Sequence, residues 1–344
     1  MLCAIGGSAI GRNAIGRNAI GRAAVVASLS LLAGIAVTCA SGRSALPESY
    51  TNGPGTLLAY TVADDGFAVA RLDLEGAMIE SWPAQGISPG FRVSTTGTDL
   101  AVLRSTSTEQ NQLTTLDLTS GESTSRSTRL FSIDWSTDGR LFGVEEMPTG
   151  ALAGMVAADG SGVDPTGAIT LGRAGVARRF SEDEMLVALT ESSDGSDGSD
   201  GSGTDRTALV RVGFDGTRGR SYPVPEGCDA YGWETSPDQQ RIAVSLQCSS
   251  SGGSGLQVID SETGEMTHMV KGLALSPSWS PDGRRLAYTA NESQPDSSTG
   301  LTSQGLMDGI ETSAVWVLSP DDGSVQRITE PDGKILTPKW APGV

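Results

Sequence analysis

The chain has 344 residues, with 24 Lys and Arg against 41 Asp and Glu, and a formal net charge of −17. That charge repels a phosphate backbone, so nucleic acid is not an expected partner, and it accords with a solvated, acid-rich surface. The single histidine, His268, leaves out any site built on two imidazoles; 45 glycines and only 5% aromatic residues point to short strands and tight turns rather than helices.

Residues 1–40 read as an export signal. Arg12, Arg17 and Arg22 precede the uncharged run Ala23–Ala40, "AAVVASLSLLAGIAVTCA", and a positive stretch ahead of an apolar core of this size is a secretory pattern. The arginines stay on the cytoplasmic side and everything downstream crosses. Its end, Ala36-Val37-Thr38-Cys39, resembles the lipobox of bacterial lipoproteins. The resemblance implies cleavage before Cys39 and lipid attachment to it. It departs from the family at Ala36, where a larger aliphatic residue is preferred, and at Thr38, where Gly, Ala or Ser is. Cleavage after Ala40 without lipid and an uncleaved anchor are the alternatives, since 18 apolar residues barely span a bilayer. The expected location is extracytoplasmic, lipid-anchored to the outer side of the cell membrane, with a secreted protein as the alternative. Residues 41–55, rich in Ser, Gly and Pro, then read as a flexible tether.

From residue 56 the chain repeats. Six strand-like runs share an apolar pattern, with Leu58, Leu100, Leu141, Leu186, Ile242 and Leu286 as anchors spaced 42, 41, 45, 56 and 44 residues apart. Each gap is the length of one four-stranded unit. A second series of strands ends in turn glycines, mostly acidic-Gly: Gly76, Gly121, Gly160, Gly216, Gly264 and Gly323. Asp or Asn beside Gly between apolar alternations is a strong hairpin signal. A third series lies upstream of the anchors, in "FRVST", "FSIDWS", "GVARRFS", "DAYGWET" and "LSPSWS", and its sixth member sits at the far end of the chain, in "LTPKWAPGV". That placement predicts a closed ring whose last strand completes the first blade, which removes exposed sheet edges. The predicted fold is an all-β, six-bladed β-propeller over 56–344, with seven blades as the alternative.

Within the third series, "WSPDGRRLAY" from Trp279 resembles the WD-like repeat of TolB-type propellers, with "WSTDGRLFGV" and "TSPDQQRIAV" as weaker copies. The resemblance covers nearly the whole exported part and implies the fold. It also implies that the motif Asp and Gly, such as Asp282, shape a turn and that the Trp packs between blades. TolB has a further α/β domain ahead of its propeller, and nothing between Cys39 and Thr56 could supply one. A role in the Tol–Pal system is therefore not implied.

Beyond the signal two cysteines remain. A hairpin turn centred on Asp238 places Cys228 opposite Cys248, and Trp233 opposite Ala243. In an exported protein the pair should be a disulfide; the alternative, a metal pair, lacks a further His or Cys partner.

Strands that run up and down put their connections alternately on two faces. The Ser-Pro-Asp-Gly and acidic-Gly turns share one face and all read as short. The other receives the variable connections, "STSTEQNQ" from Ser105, Glu191–Asp205 and Asn291–Ser313, and insertions gathered on one face mark the working face of a repeat fold. The candidate interaction residues are Glu109, Asp194, Glu292, Asp296, Leu306 and Asp308, the longest insertion also carrying Leu301, Met307 and Ile310 as a lid or partner surface. The Asp-Gly-Ser tract lacks the alternate acids and final glutamate of an EF-hand and reads as a solvated loop. Propeller lactonases and lyases hold a metal with Asp, Asn and Glu from inner strands; Asp134 and Asp229 are too few for such a ring. No catalytic, cofactor or metal residue is therefore expected. The expected function is a non-catalytic binding or scaffold protein of the cell envelope, monomeric, whose partner is an envelope protein or extracellular ligand. A metal-dependent propeller enzyme and a sensory module for a membrane partner are the alternatives.

Overall fold

The computed structural model describes residues 55–63, 66–83, 90–105, 110–148, 150–171, 174–192, 205–248, 254–272, 274–291, 313–330 and 335–341. Its strands form six four-stranded antiparallel sheets. The first holds β1 (Thr56–Ala63), β2 (Gly66–Leu72) and β3 (Met78–Pro83); the second, β4 (Arg92–Val93), β5 (Asp99–Ser105), β6 (Asn111–Asp117) and β7 (Ser123–Thr128). The third holds β8 (Leu130–Trp135), β9 (Leu141–Met147), β10 (Gly150–Met155) and β11 (Ile169–Leu171); the fourth, β12 (Ala174–Arg179), β13 (Glu184–Ser192), β14 (Asp205–Gly213) and β15 (Arg218–Pro223). The fifth holds β16 (Cys228–Thr235), β17 (Arg241–Cys248), β18 (Gly255–Asp260) and β19 (Met266–Lys271); the sixth, β20 (Ala274–Trp279), β21 (Leu286–Asn291), β22 (Ser313–Leu318) and β23 (Val325–Arg327). The last strand, β24 (Ile335–Ala341), pairs with β1 and completes the first sheet in the order β24-β1-β2-β3. The fold is a six-bladed β-propeller closed by its C-terminal strand.

Each of the six anchors lies in the second strand of its blade, and all except Leu141 are buried. Six hydrophobic clusters hold the ring, one at each blade boundary. Leu58, Tyr60 and Val69 of the first blade meet Phe91, Leu100 and Val102 of the second, and at the closing boundary Leu57, Ala59 and Leu72 meet Ala287, Val315 and Val317. Blades are thus hydrogen-bonded within and packed by apolar side chains between, so removing closure would strip one of six equivalent interfaces of its partner.

The turns follow from the motif chemistry. All six glycines between third and fourth strands have positive φ, from 70° to 87°, which only glycine adopts without steric cost. Gly76 is further constrained, because a Cβ there would collide with the carbonyl oxygen of Ile328. In the turns between first and second strands, Ser280 Oγ donates to Asp282 Oδ1 at 2.6 Å and Arg284 N donates to the same oxygen at 3.0 Å. Ser236 and Asp238 repeat this device, as do Ser136 and Asp138. In "TSPDQQ" the left-handed position falls to Gln239, at φ 62°, where the other copies have Gly97, Gly139 and Gly283. The indoles bridge blades as the motif implies: Trp135 Nε1 donates to Arg92 O, Trp233 Nε1 to Leu186 O and Trp279 Nε1 to Glu234 O.

Two expectations need correction. The connections on the face of the acidic-Gly turns span four to six residues except one, Val156–Ala168 between β10 and β11, which has 13. It is held by Val156 pairing with Val163 and by Glu145, whose Oε2 accepts the Val163 N–H. In the β16–β17 hairpin Cys228 does oppose Cys248, with Cα atoms 3.9 Å apart and a disulfide between them, but Trp233 opposes Val244 and not Ala243. The turn is centred half a residue later than assumed, and a bulge between Ala230 and Gly232 absorbs the difference before the cysteines are reached.

Candidate functional site

The inner strands β24, β4, β8, β12, β16 and β20 touch one another in a closed cycle around the axis. Five of them run into their turns at Ser94, Ser136, Phe180, Ser236 and Ser280, and Ala341 is the last residue of β24. Two residues earlier every blade contributes one side chain at the same level, and these six are Lys339, Arg92, Asp134, Arg178, Glu234 and Ser278. The ring lies toward the face of the short Ser-Pro-Asp-Gly turns. Three members are cationic and two anionic.

The oxygens in the ring staple neighbouring blades. Asp134 accepts the Trp135 N–H on Oδ1 and the Arg179 N–H of the next blade on Oδ2, both at 2.9 Å. Glu234 Oε1 accepts Trp279 N at 2.9 Å and Ser278 Oγ–H at 3.1 Å, while Ser278 Oγ accepts Trp340 N at 3.0 Å. Adjacent inner strands are not paired as a sheet, so these side chains satisfy backbone donors that would otherwise be orphaned.

The cations are placed differently. Lys339 is 6% exposed, and its ammonium donates to Glu234 Oε2 at 2.7 Å and to Pro277 O at 3.1 Å. It therefore reaches from the first blade past the sixth to the fifth. Arg178 Nη1 donates to Ser132 Oγ, Ile133 O and Ala177 O, and Arg92 Nη1 to Phe91 O. The Nε atoms of Arg92 and Arg178 are buried without a hydrogen-bond partner. Burial lowers the pKa of all three cations; Asp134 and Glu234 oppose that shift for both arginines. Arg92 further lowers Arg178 by like-charge repulsion, and both arginines lower Lys339 against the pull of Glu234. Both arginines are half-buried, and desolvation is the largest cause of the downward shift of each.

The backbone under the ring is irregular. Bulges interrupt β8, β12, β16, β20 and the β1–β24 pairing. In β20 and β24 they place Ser276 and Thr337 at φ 54° and 53°, each just before a proline. A left-handed β-branched residue is strained and persists only where the surroundings over-determine it. Here Thr337 N donates to Thr289 Oγ1, and the two prolines lead directly to Ser278 and Lys339. Bulges re-aim side chains, and these aim the ring.

Sequence reading anticipated little of this. Asp134 is a ring member, whereas Asp229 is exposed and opposes Gln247 at the other end of the inner strand. Among the described residues no three His, Cys, Asp or Glu side chains are grouped to hold a metal. A search confined to acidic residues near strand starts could not find a ring of mixed charge near strand ends. The available signal was the position two residues before each turn, compared across all six repeats.

The opposite face carries the connections between second and third strands. From strand end to strand end they span 2, 5, 2, 12, 6 and 21 residues around the ring. Glu109, Asp194, Glu292, Asp296, Leu306 and Asp308 belong to this set and lie outside the described residues, as does Cys39. The Cys228–Cys248 disulfide closes the base of the six-residue connection. His268 lies in β19, an outermost strand.

No protein-family model matches the chain, and neither does any curated protein. Solved structures do resemble it. A nidogen/laminin complex aligns with 83% of this chain and 98% of that one at 11% identity and a TM-score of 0.55. The β-propeller domain of the trilobed protease from Pyrococcus furiosus aligns with 83% of this chain and 95% of that one at 12% identity, TM-score 0.46. A putative 6-phosphogluconolactonase from Bacteroides fragilis covers 84% and 98% at 13% identity, TM-score 0.46. At such identities the likeness is one of fold.

Proposed function

We propose that the chain is an exported, non-catalytic binding protein of the cell envelope, tethered through Cys39, which engages its partner with the face that carries residues 106–110, 193–204 and 292–312. One observation carries this reading. Connections on the short-turn face hold to four to six residues with a single exception, whereas those between second and third strands range from 2 to 21. A rigid ring with length variation gathered at one face is the arrangement by which repeat folds present recognition loops. The disulfide supports an oxidising compartment, and the TolB-like repeat agrees with an envelope setting. Site-specific photo-crosslinking in intact cells tests the reading. A crosslinker at Asp194 or Leu306 should trap a partner, and one at Thr119 or Thr263, on the short-turn face, should not. Equal trapping from both faces would refute it.

A further inference from the structure

We infer that the groove between the outer parts of the fifth and sixth blades is a binding site for a small organic cation, an alkylguanidinium whose head is met by Asp260, Glu265 and the carbonyl of Pro320. The groove is a cavity of about 270 Å³ at the short-turn end, and Val258 and Met269 supply its apolar wall. It lies away from the loop-bearing connections and does not depend on them.

Three other blade boundaries show what is missing at this one. Each turn between third and fourth strands opens at the residue whose carbonyl accepts the turn glycine N–H: Asp73, Ala157, Asp260 and Ser319 among them. The outer strands β7, β15 and β23 each send one side chain to the carbonyl of the residue after that, in the next blade. Arg126 Nη1 donates to Ala158 O at 3.2 Å, Tyr222 Oη–H to Ser261 O at 2.8 Å and Gln326 Nε2 to Leu74 O at 3.3 Å. The counterpart carbonyl in the sixth blade is that of Pro320, and it lines the groove. On that side β19 offers Thr267, opposite Val258, and Met269, at a bulge. A hydroxyl on a short stem and a thioether without a donor do not take the place of Arg126.

The charge of the groove selects a cation. Arg241, on its β17 side, is already matched: it stacks 4.7 Å from the Trp279 ring centroid and donates to Asp321 Oδ1 at 3.1 Å and Gly283 O at 2.6 Å. Asp260 Oδ1 accepts the N–H groups of Glu262 and Thr263 in its own turn. Neither Asp260 nor Glu265 forms an ion pair with a described residue. Two carboxylates and a carbonyl are acceptors only, and a guanidinium is the head that carries five N–H donors and no acceptor. Its planar faces and alkyl stem suit the wall of Val258 and Met269. The volume is below the roughly 300–1,000 Å³ of sites for drug-sized ligands, so it takes a head and a short chain.

The test is isothermal titration calorimetry of the purified full-length protein, at constant ionic strength, with n-butylguanidinium and with n-butylurea, its neutral counterpart of the same shape. Butylguanidinium should bind saturably, with a dissociation constant on the order of millimolar for so small a probe. Butylurea should not. Thr267→Arg places in the groove the kind of side chain that Arg126 supplies from β7, so it should abolish binding. Glu265→Gln should weaken binding roughly threefold, and Glu75→Gln, at an exposed glutamate of the first blade, should leave it unchanged. If Thr267→Arg does not fold, Glu265→Gln decides. No saturable binding of butylguanidinium, equal binding of butylurea, undiminished binding in Thr267→Arg or Glu265→Gln, or an equal loss in Glu75→Gln would overturn the assignment.

Discussion

Gln239 shows how one residue departs from its repeat. The equivalent turns have Gly97, Gly139 and Gly283, and Gln239 holds the same left-handed conformation at φ 62°. An L-residue there costs roughly 1–2 kcal/mol, partly offset by the greater unfolded-state entropy of glycine. Gln239→Gly should therefore raise stability by about 0.5–1 kcal/mol in equilibrium urea unfolding; a lower midpoint would show that the glutamine side chain contributes more than the strain. Gly76→Ala is the converse, since the added Cβ meets the Ile328 carbonyl as well as the forbidden φ. It should cost about 2 kcal/mol or more. Glycines at such turns were legible in sequence because their chemistry is local. The roles of Arg92, Arg178 and Lys339 were not, because they come together only when six distant strand ends meet at the axis.

At the scale of the element, the hairpin turns tie the fold to pH. Asp117 accepts the Thr119 hydroxyl and the N–H groups of Thr119 and Ser120, which hold its pKa at about 2. Asp159, Asp215, Asp260 and Asp322, in the matching turns of later blades, are likewise lowered, chiefly by hydrogen bonds from the residues that follow them. A carboxylate whose folded pKa lies below its unfolded value contributes stability that is complete above the unfolded pKa and is lost as pH falls through the folded one. Stability should therefore decline from about pH 4 toward 2. Asn at 117, 159, 215 and 260 keeps an acceptor oxygen but cannot titrate. Thermal midpoints of that variant should fall less steeply across the window, and an equal slope would remove the turns as its cause. Hairpins with Asp and Gly at fixed offsets were predictable for this reason. The bulges were not: nothing in "DAYGWET" marks Tyr231 as the extra residue, and its effect is a one-residue shift at Trp233 that closes again at Cys228.

For the whole molecule, the last strand ties the first blade to the sixth. Removing 335–344 deletes β24, opens the edge of β1 and strips Trp340 from the cluster where first and sixth blades meet. An unpaired edge beside an uncovered apolar face invites association, so the truncated chain should unfold non-cooperatively or aggregate. Reducing the disulfide should be milder. It links residues 20 apart in one hairpin, and chain-entropy reasoning caps its contribution at about 3 kcal/mol. The spacing of the anchors and the displaced sixth repeat made both the ring and its closure readable from sequence, since each depends on repeat order alone. The long Val156–Ala168 connection escaped because its strand, β11, is only three residues long and follows no repeat signal.

The central claim is a tethered propeller working outside the cytoplasm, and intact mass spectrometry of the protein from native membranes tests it most directly. The account predicts a chain that begins at Cys39, carries a diacylglycerol and has Cys228 and Cys248 oxidised. A full-length chain with free thiols, recovered from the cytoplasmic fraction, would contradict it.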